Sequence, residues 1–187
     1  MNLVQIGVNI AHDDFSKIVN QLNNNGEVID NLLLVEPLEE CNESIKNCYS
    51  NYNYFLENIV INGDENKKTE TFLVSQANWL STLREGHIER YHHNETPQQR
   101  TIPSMTLNEL FNKYNLKKID ILFIDTEGWD DVLIKSINYD MYDINTIYYE
   151  DFHINNESLM EFLNQKNYDV RKADFSDGYS SVAVKKQ

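Results

Sequence analysis

The sequence predicts an α/β protein with a mostly parallel sheet, helices on both faces and an antiparallel hairpin at the C-terminal end. Short apolar, β-branched runs alternate with segments whose apolar residues recur at helical spacing, which is typical of strand–helix–strand units. Some runs are continuously apolar, as in strands that are buried on both faces of a sheet. The 187 residues suit a single domain with one core.

The first half of the chain predicts two helices and four extended segments. The run Leu32-Leu33-Leu34-Val35 is continuously apolar and ends at Glu36-Pro37. Asp13 or Asp14 is placed to cap the first helix. The predicted elements are strands at 3–6 and 32–35, helices after Asp13 and over 38–51, a strand at 59–61 and an extended segment at 69–74.

The second half predicts three helices and four extended segments. Thr106 and Glu109 have the spacing of a capping box. Two final extended runs are joined by a short connection around Asp177-Gly178, so they must be antiparallel. The predicted elements are a helix from Thr106, the strongest strand at 119–124, a helix after Gly128, a strand at 144–149, a helix at 158–166 and runs at 168–175 and 179–184.

Residues 76–104 lack a sustained period and contain Trp79, His87 and His92. A connection of this length is too long for an ordinary loop in a compact domain. We therefore predict an irregular insertion within the single domain and favour a substrate lid over a passive loop.

Composition excludes several classes of partner. The chain has 16 Lys and Arg against 30 Asp and Glu, a formal net charge of −14. Such a chain repels phosphate backbones and anionic headgroups, so we expect no nucleic-acid or membrane partner. No long apolar run or leader pattern occurs, which predicts a cytoplasmic protein. The eleven Tyr and eight Phe residues suffice for a core and leave a homo-oligomer open.

The glycines exclude two nucleotide-binding classes. The six glycines are too widely spaced for either G-x-G-x-x-G or G-x-x-x-x-G-K-[ST]. A P-loop nucleotidase and a standard dinucleotide dehydrogenase are therefore both disfavoured.

Acidic residues follow several predicted strands. Glu36, Asp125 with Glu127, and Glu150 each lie at a strand end. Ligands of open α/β sheets bind at the carboxyl ends of the strands, near the point where the strand order reverses. We expect these carboxylates to gather at one edge of the sheet, with His153 close to Glu150.

Glu36 and Gly7 suggest a nucleoside site. A carboxylate at the end of the second strand can accept hydrogen bonds from both ribose hydroxyls, although a solvated side chain or a helix cap is the alternative. Gly7 would let the backbone of the first turn approach a ligand closely, although any tight turn can use a glycine.

Asp125 and Glu127 flank Thr126 in the turn after the strongest strand. We interpret them as a carboxylate pair that orients a cationic or hydroxyl-bearing group and removes a proton. The same spacing can also hold a divalent ion. The alternative is that both acids stabilise the N-terminus of the following helix through its macrodipole.

Three stretches match one known family. Residues 101–107 lead into a T-L-[DN]-x-L helix motif that begins at Thr106, and residues 118–130 then contain a D-[LI]-L-x-I-D-x-E-G motif. Residues 34–37 contain a V-E-P motif, and Glu150 with His153 is similar to a later element. These stretches resemble the FkbM-type S-adenosylmethionine-dependent methyltransferases over most of the chain.

The first strand matches that family in part, because Gly7 and Asn9 agree while Ala11 stands where a second glycine is expected. The resemblance implies a Rossmann-like class I methyltransferase fold with S-adenosylmethionine as the cofactor. The cofactor residues it implies are Gly7, Asn9, Glu36, Pro37, Asn58 and Asp125.

The resemblance also implies O-methylation of a hydroxyl on a sugar, a glycan or a small metabolite. Asp125 would position the cofactor or acceptor, and Glu127, Glu150 or His153 would supply the base. The expected substrate contacts are Trp79, His87, His92 and Trp129, with no bound metal.

Two other functions stay open. A glycosyltransferase could use Asp125-Thr126-Glu127 to hold a metal ion and a nucleotide-sugar. A catalytically inactive module that keeps the methyltransferase fold for binding is the second alternative, motivated by Ala11.

Overall fold

The computed structural model describes residues 1–76, 80–91, 95–175 and 178–186. Within these residues the chain forms ten strands and six α-helices. In chain order they are β1 Asn2–Ile6, α1 Asp14–Asn24, β2 Asn31–Val35, α2 Asn42–Cys48, β3 Tyr54–Glu57, β4 Val60–Asn62, β5 Thr69–Val74, α3 His87–Tyr91, β6 Gln98–Thr106, α4 Leu107–Lys113, β7 Lys118–Ile124, α5 Asp130–Ser136, β8 Asp143–Glu150, α6 Asn156–Gln165, β9 Tyr168–Lys172 and β10 Ser180–Lys185.

The main sheet has seven strands in the order β3-β2-β1-β7-β8-β10-β9. The first five of these strands run parallel to one another, whereas β10 is antiparallel to both β8 and β9. The predicted fold class, a mainly parallel sheet with a C-terminal antiparallel hairpin, is confirmed. The strand order reverses beside β1, because β1 lies between β2 and β7.

Helices cover both faces of this sheet because side chains alternate along each strand. On one face, apolar side chains of β1 and β2 pack with α1 and α2; on the other face, they pack with α4, α5 and α6. The first cluster includes Leu3, Leu32, Leu34, Phe15, Val19 and Ile45, and the second includes Val4, Ile6, Leu33, Val35, Leu110, Phe111, Leu133 and Leu159.

A second, three-stranded sheet corrects two predictions. The strand predicted at 59–61 is β4, which pairs with β6 in the small sheet, and the third parallel strand of the main sheet is instead β3. The segment predicted to be irregular contains α3 and most of β6, which is antiparallel to β5. Both β3 and β6 were missed because exposed or polar side chains interrupt their apolar patterns.

Helix starts follow the predicted caps. The Asp13 side chain accepts a hydrogen bond from the Ser16 N–H, 2.9 Å away, at the start of α1. Thr106 and Glu109 form the predicted capping box of α4. The helix predicted over 38–51 is shorter, with a 3-10 turn at Glu39–Cys41 before α2. Among the described helices, none is both long and apolar enough to cross a bilayer.

Candidate active site

The carboxyl ends of β1, β2 and β7 lie side by side where the strand order reverses. The Gly7 N–H donates to the carbonyl of Val35 at 3.0 Å, and the Asp125 N–H donates to the carbonyl of Ile6 at 2.9 Å. The residues that follow the three strands are therefore held together by backbone hydrogen bonds. This is the position at which open α/β sheets bind ligands.

A cavity of about 310 Å³ opens at this position, at the lower end of the range for small-molecule sites. One wall is the turn after β1, and the opposite wall carries apolar side chains from 59–61 and β5. The predicted site residues that line the cavity are Gly7, Asn9, Glu36, Pro37, Asp125, Glu127 and Trp129. Glu36 and Asp125, which the sequence placed 89 positions apart, thus share one cavity.

Glu36 is a buried carboxylate that faces backbone donors. Its Oε2 accepts from the Asn9 N–H at 2.7 Å, and its Oε1 accepts from the Leu38 N–H at 2.9 Å. Burial raises the pKa of Glu36 to about 7 against the opposing effect of these hydrogen bonds. Each carboxylate oxygen has a second lone pair for a ligand hydroxyl.

The turn after β1 lies close to the backbone of Asp125. Gly7 has φ +81°, and a Cβ at this residue would lie 1.8 Å from the Asp125 carbonyl oxygen. The residue that follows β7 therefore requires glycine at this position, and a close approach of Gly7 to a ligand stays a prediction. Asn9 and Ala11 also have positive φ, 49° and 61°, in the region that favours glycine.

Asn58 contacts the backbone of Glu36. Its Nδ2 donates to the Glu36 carbonyl at 2.8 Å and to Asn42 Oδ1 at 2.9 Å. These contacts are with the protein, and a direct contact of Asn58 with the cofactor stays a prediction. The Asn58 side chain thus fixes the backbone of Glu36, which lines the cavity.

The turn after β7 is fixed by Asp130, a residue to which the sequence analysis gave no role. Asp130 is fully buried, and its carboxylate accepts from the Thr126 N–H at 3.2 Å, the Thr126 hydroxyl at 2.7 Å and the Glu150 N–H at 3.1 Å. Burial raises the pKa of Asp130 to about 7. The side chain therefore links the end of β7 to the end of β8.

We expect Asp130→Ala to lower the free energy of unfolding by about 2 kcal/mol, because three partly buried donors lose their acceptor. Asp131→Ala is the matched control: Asp131 is half-buried and pairs with Lys135 at 3.6 Å, and we expect a change within about 0.5 kcal/mol. Urea unfolding followed by circular dichroism measures both. Equal midpoints for the two variants would contradict the role of Asp130 in the turn.

Asp125 and Glu127 lie before the first turn of the helix that follows them. The acids in the first turn of α5 are Asp130 and Asp131, so the macrodipole alternative does not account for the earlier pair. Glu127 has φ 52°, and its carbonyl accepts from the Thr82 hydroxyl at 2.9 Å. The turn thus presents the Glu127 carboxylate away from α5, at the edge of the cavity.

Two histidines meet this carboxylate. His87 Nε2 lies 3.2 Å from Glu127 Oε2, and His153 Nε2 lies 3.5 Å from the same oxygen and 3.5 Å from Glu150 Oε1. Burial, with smaller effects of His87 and Arg84, lowers the pKa of His153 to about 4. The His153 imidazole is therefore neutral near pH 7 and can accept a proton.

Arg84 holds the backbone around this group. Its Nη1 donates to the carbonyl of Gly128 at 2.9 Å and to that of His153 at 2.7 Å. The contacts of Arg84 and His87 depend on the fold of the segment between β5 and β6, and the sequence offers no periodic signal for them. Two of the predicted substrate residues, Trp79 and His92, lie outside the described residues.

The strand order and a cavity at the switch point define a Rossmann-like α/β fold of the methyltransferase type. A family model described as the Methyltransferase FkbM domain matches residues 5–170. The chain belongs to the FkbM methyltransferase family. No curated protein matches the chain.

Proposed function

We propose that the protein is an S-adenosylmethionine-dependent O-methyltransferase that acts on a hydroxyl of a sugar, a glycan or a small metabolite. Membership of the FkbM family supports methyl transfer. The observation that carries the choice of cofactor is that Glu36 and Asp125 line the same cavity at the switch point.

The cavity residues suit the parts of this cofactor. Glu36 presents two carboxylate oxygens that can accept the ribose hydroxyls. Val60 and Phe72 give an apolar wall for the adenine ring. Trp129 also lines the cavity.

Bound S-adenosylmethionine supplies a methyl group that is electrophilic because it is attached to a sulfonium. As the acceptor oxygen took up that methyl group, its hydroxyl proton would go to a base supplied by this chain. The candidates are Glu127, which lines the cavity, and its neighbours His153 and Glu150, since His153 Nε2 lies 3.5 Å from a carboxylate oxygen of each acid. Asp125, on the cavity wall, would position the acceptor.

Exposed aromatic rings beside this group favour a sugar acceptor. Tyr91, Phe152 and Tyr179 are 39%, 52% and 51% exposed. The Phe152 ring lies 4.7 Å from both the His153 and the Tyr179 rings, centroid to centroid. Aromatic faces next to carboxylates bind the apolar face of a sugar while the acids meet its hydroxyls.

We expect Phe152→Ala to reduce methyl transfer to a sugar acceptor about tenfold, because a stacking ring is lost, and to leave the affinity for S-adenosylhomocysteine unchanged. Transfer of a radiolabelled methyl group to a panel of glycosides measures the first quantity. Phe55→Ala is the matched control, since Phe55 is 48% exposed on the edge strand β3. Equal transfer by both variants would contradict the role of the ring.

Calorimetry with S-adenosylhomocysteine and with nucleoside diphosphates tests the proposed function. We expect one equivalent of S-adenosylhomocysteine to bind without added metal. Binding of a nucleoside diphosphate that depends on Mn²⁺ would support a glycosyltransferase instead. Binding of neither ligand would support an inactive module of the same fold.

A further inference from the structure

Three side chains from separate segments converge on one oxygen beside the cavity. His87 comes from α3, Glu127 from the turn after β7 and His153 from the segment after β8. Both imidazoles direct Nε2 to Glu127 Oε2, at 3.2 and 3.5 Å. The side chains of His87, Glu127 and His153 are only 3%, 15% and 8% exposed.

The shorter distance is that of a hydrogen bond, and both distances also match the separation of two ligand atoms that share an ion. Zinc binds imidazole nitrogen at about 2.0–2.1 Å and carboxylate oxygen at about 2.0–2.2 Å, so two ligand atoms of a tetrahedral site lie about 3.4 Å apart. The two measured separations fall on either side of this value. One ligand atom from each of the three residues lies within 4.8 Å of the others.

Further carboxylates extend the group. Asp125, Glu127 and Glu150 also bring one oxygen each within 4.8 Å of one another, although like charges at this spacing repel. The nearby Arg84 guanidinium uses Nη1 for backbone carbonyls. A divalent cation would offset the repulsion and use the imidazoles as neutral ligands.

We propose that His87, Glu127 and His153 bind a divalent transition-metal ion, with Zn²⁺ the best match. Imidazole nitrogens favour zinc and its neighbours in the first transition row over Mg²⁺ and Ca²⁺, which prefer oxygen. The sequence suggested a divalent ion only as an alternative at Asp125 and Glu127, and the two histidine ligands are new. His87 was expected to contact substrate, and here it is a ligand.

The ion has a role in methyl transfer, and this part of the inference rests on the proposed function. Glu127 lines the cofactor cavity, so an ion on Glu127 lies next to the place of the acceptor. A metal ion polarises a bound hydroxyl and makes its proton easier to remove. With Glu127 and His153 engaged as ligands, Glu150 is left to accept that proton.

The test is titration of the chelator-treated, full-length protein with ZnCl₂ by calorimetry and with CoCl₂ by visible absorption. We expect one ion per chain and, for Co²⁺, the strong absorption of a tetrahedral site. His87→Ala and His153→Ala should each weaken Zn²⁺ binding at least about 100-fold, because each removes one of three protein ligands. His12→Ala, which removes an exposed histidine outside the cluster, should leave the affinity unchanged.

Two results would overturn the metal site. One is the absence of stoichiometric Zn²⁺ binding to the wild-type protein, a result that does not depend on the folding of any variant. The other is unchanged affinity in folded His87→Ala and His153→Ala proteins, which would assign His87 only a hydrogen bond that orients Glu127. Binding of S-adenosylhomocysteine, measured in the same samples without metal, separates failure of this site from failure of the proposed function.

Discussion

We expect Gly7→Ala to lower the free energy of unfolding by at least about 4 kcal/mol, and Gly26→Ala by only about 1 kcal/mol. Both glycines have nearly the same φ, +81° and +80°, so both substitutions place a side chain in the left-handed region. At Gly7 the new Cβ would lie 1.8 Å from the Asp125 carbonyl oxygen, whereas at Gly26 it would meet no described atom within 4 Å. Urea unfolding followed by circular dichroism compares the two variants.

The comparison isolates one contact between two strand ends. The 1.8 Å approach involves backbone atoms, so a side-chain rotation cannot relieve it. Asp125 N–H donates to the Ile6 carbonyl at 2.9 Å, and this bond has to stretch if the strand ends separate. A Gly7→Ala protein that fails to fold beside a folded Gly26→Ala protein agrees with the prediction. Equal stabilities would mean that the ends of β1 and β7 are not so close.

The convergence of Glu36 and Asp125 was predictable because parallel strands end at one edge of a sheet. Glu36 and Asp125 each follow a continuously apolar strand, and β1 separates β2 from β7. Local pattern therefore located both acids before any tertiary contact was known. The structural role of Gly7 was not predictable, because the atom that excludes a side chain there belongs to residue 125.

The contacts of His87 and Asp130 could not be derived in the same way. His87 contacts Glu127, which lies 40 positions later in the sequence. His87 belongs to a helix of five residues, in a segment with no sustained period. Its placement depends on the pairing of β5 with β6, and β6 has polar residues that hide its strand pattern. Asp130 was missed for a different reason. An acid at a helix start is common, and only the three hydrogen bonds that the Asp130 carboxylate accepts reveal that it fixes the turn.

Glu36→Ala should weaken binding of S-adenosylhomocysteine about 100-fold, because two ribose hydroxyls lose a charged acceptor. Calorimetry with the wild-type and variant proteins measures the change. The control is Glu39→Ala, which removes an exposed acid three residues away and should leave the affinity unchanged. Thermal unfolding of each variant shows whether the loss of Glu36 contacts with Asn9 and Leu38 has unfolded the protein rather than the site.

A second variant tests the charge of Glu36 itself. Burial raises the pKa of Glu36 to about 7 in the free protein, and ribose hydroxyls bind the ionised carboxylate more strongly than the acid. Binding then releases a proton below pH 7, so the wild-type affinity should fall as the pH is lowered from 7, by at most about tenfold per pH unit for one proton. Glu36→Gln keeps the size of the side chain but does not titrate, so its affinity should be lower than that of the wild type at pH 8 and constant from there to pH 6.

The same pH dependence in the variant as in the wild type would assign the titration to another group. Unchanged affinity in both Glu36 variants would reject the ribose contact.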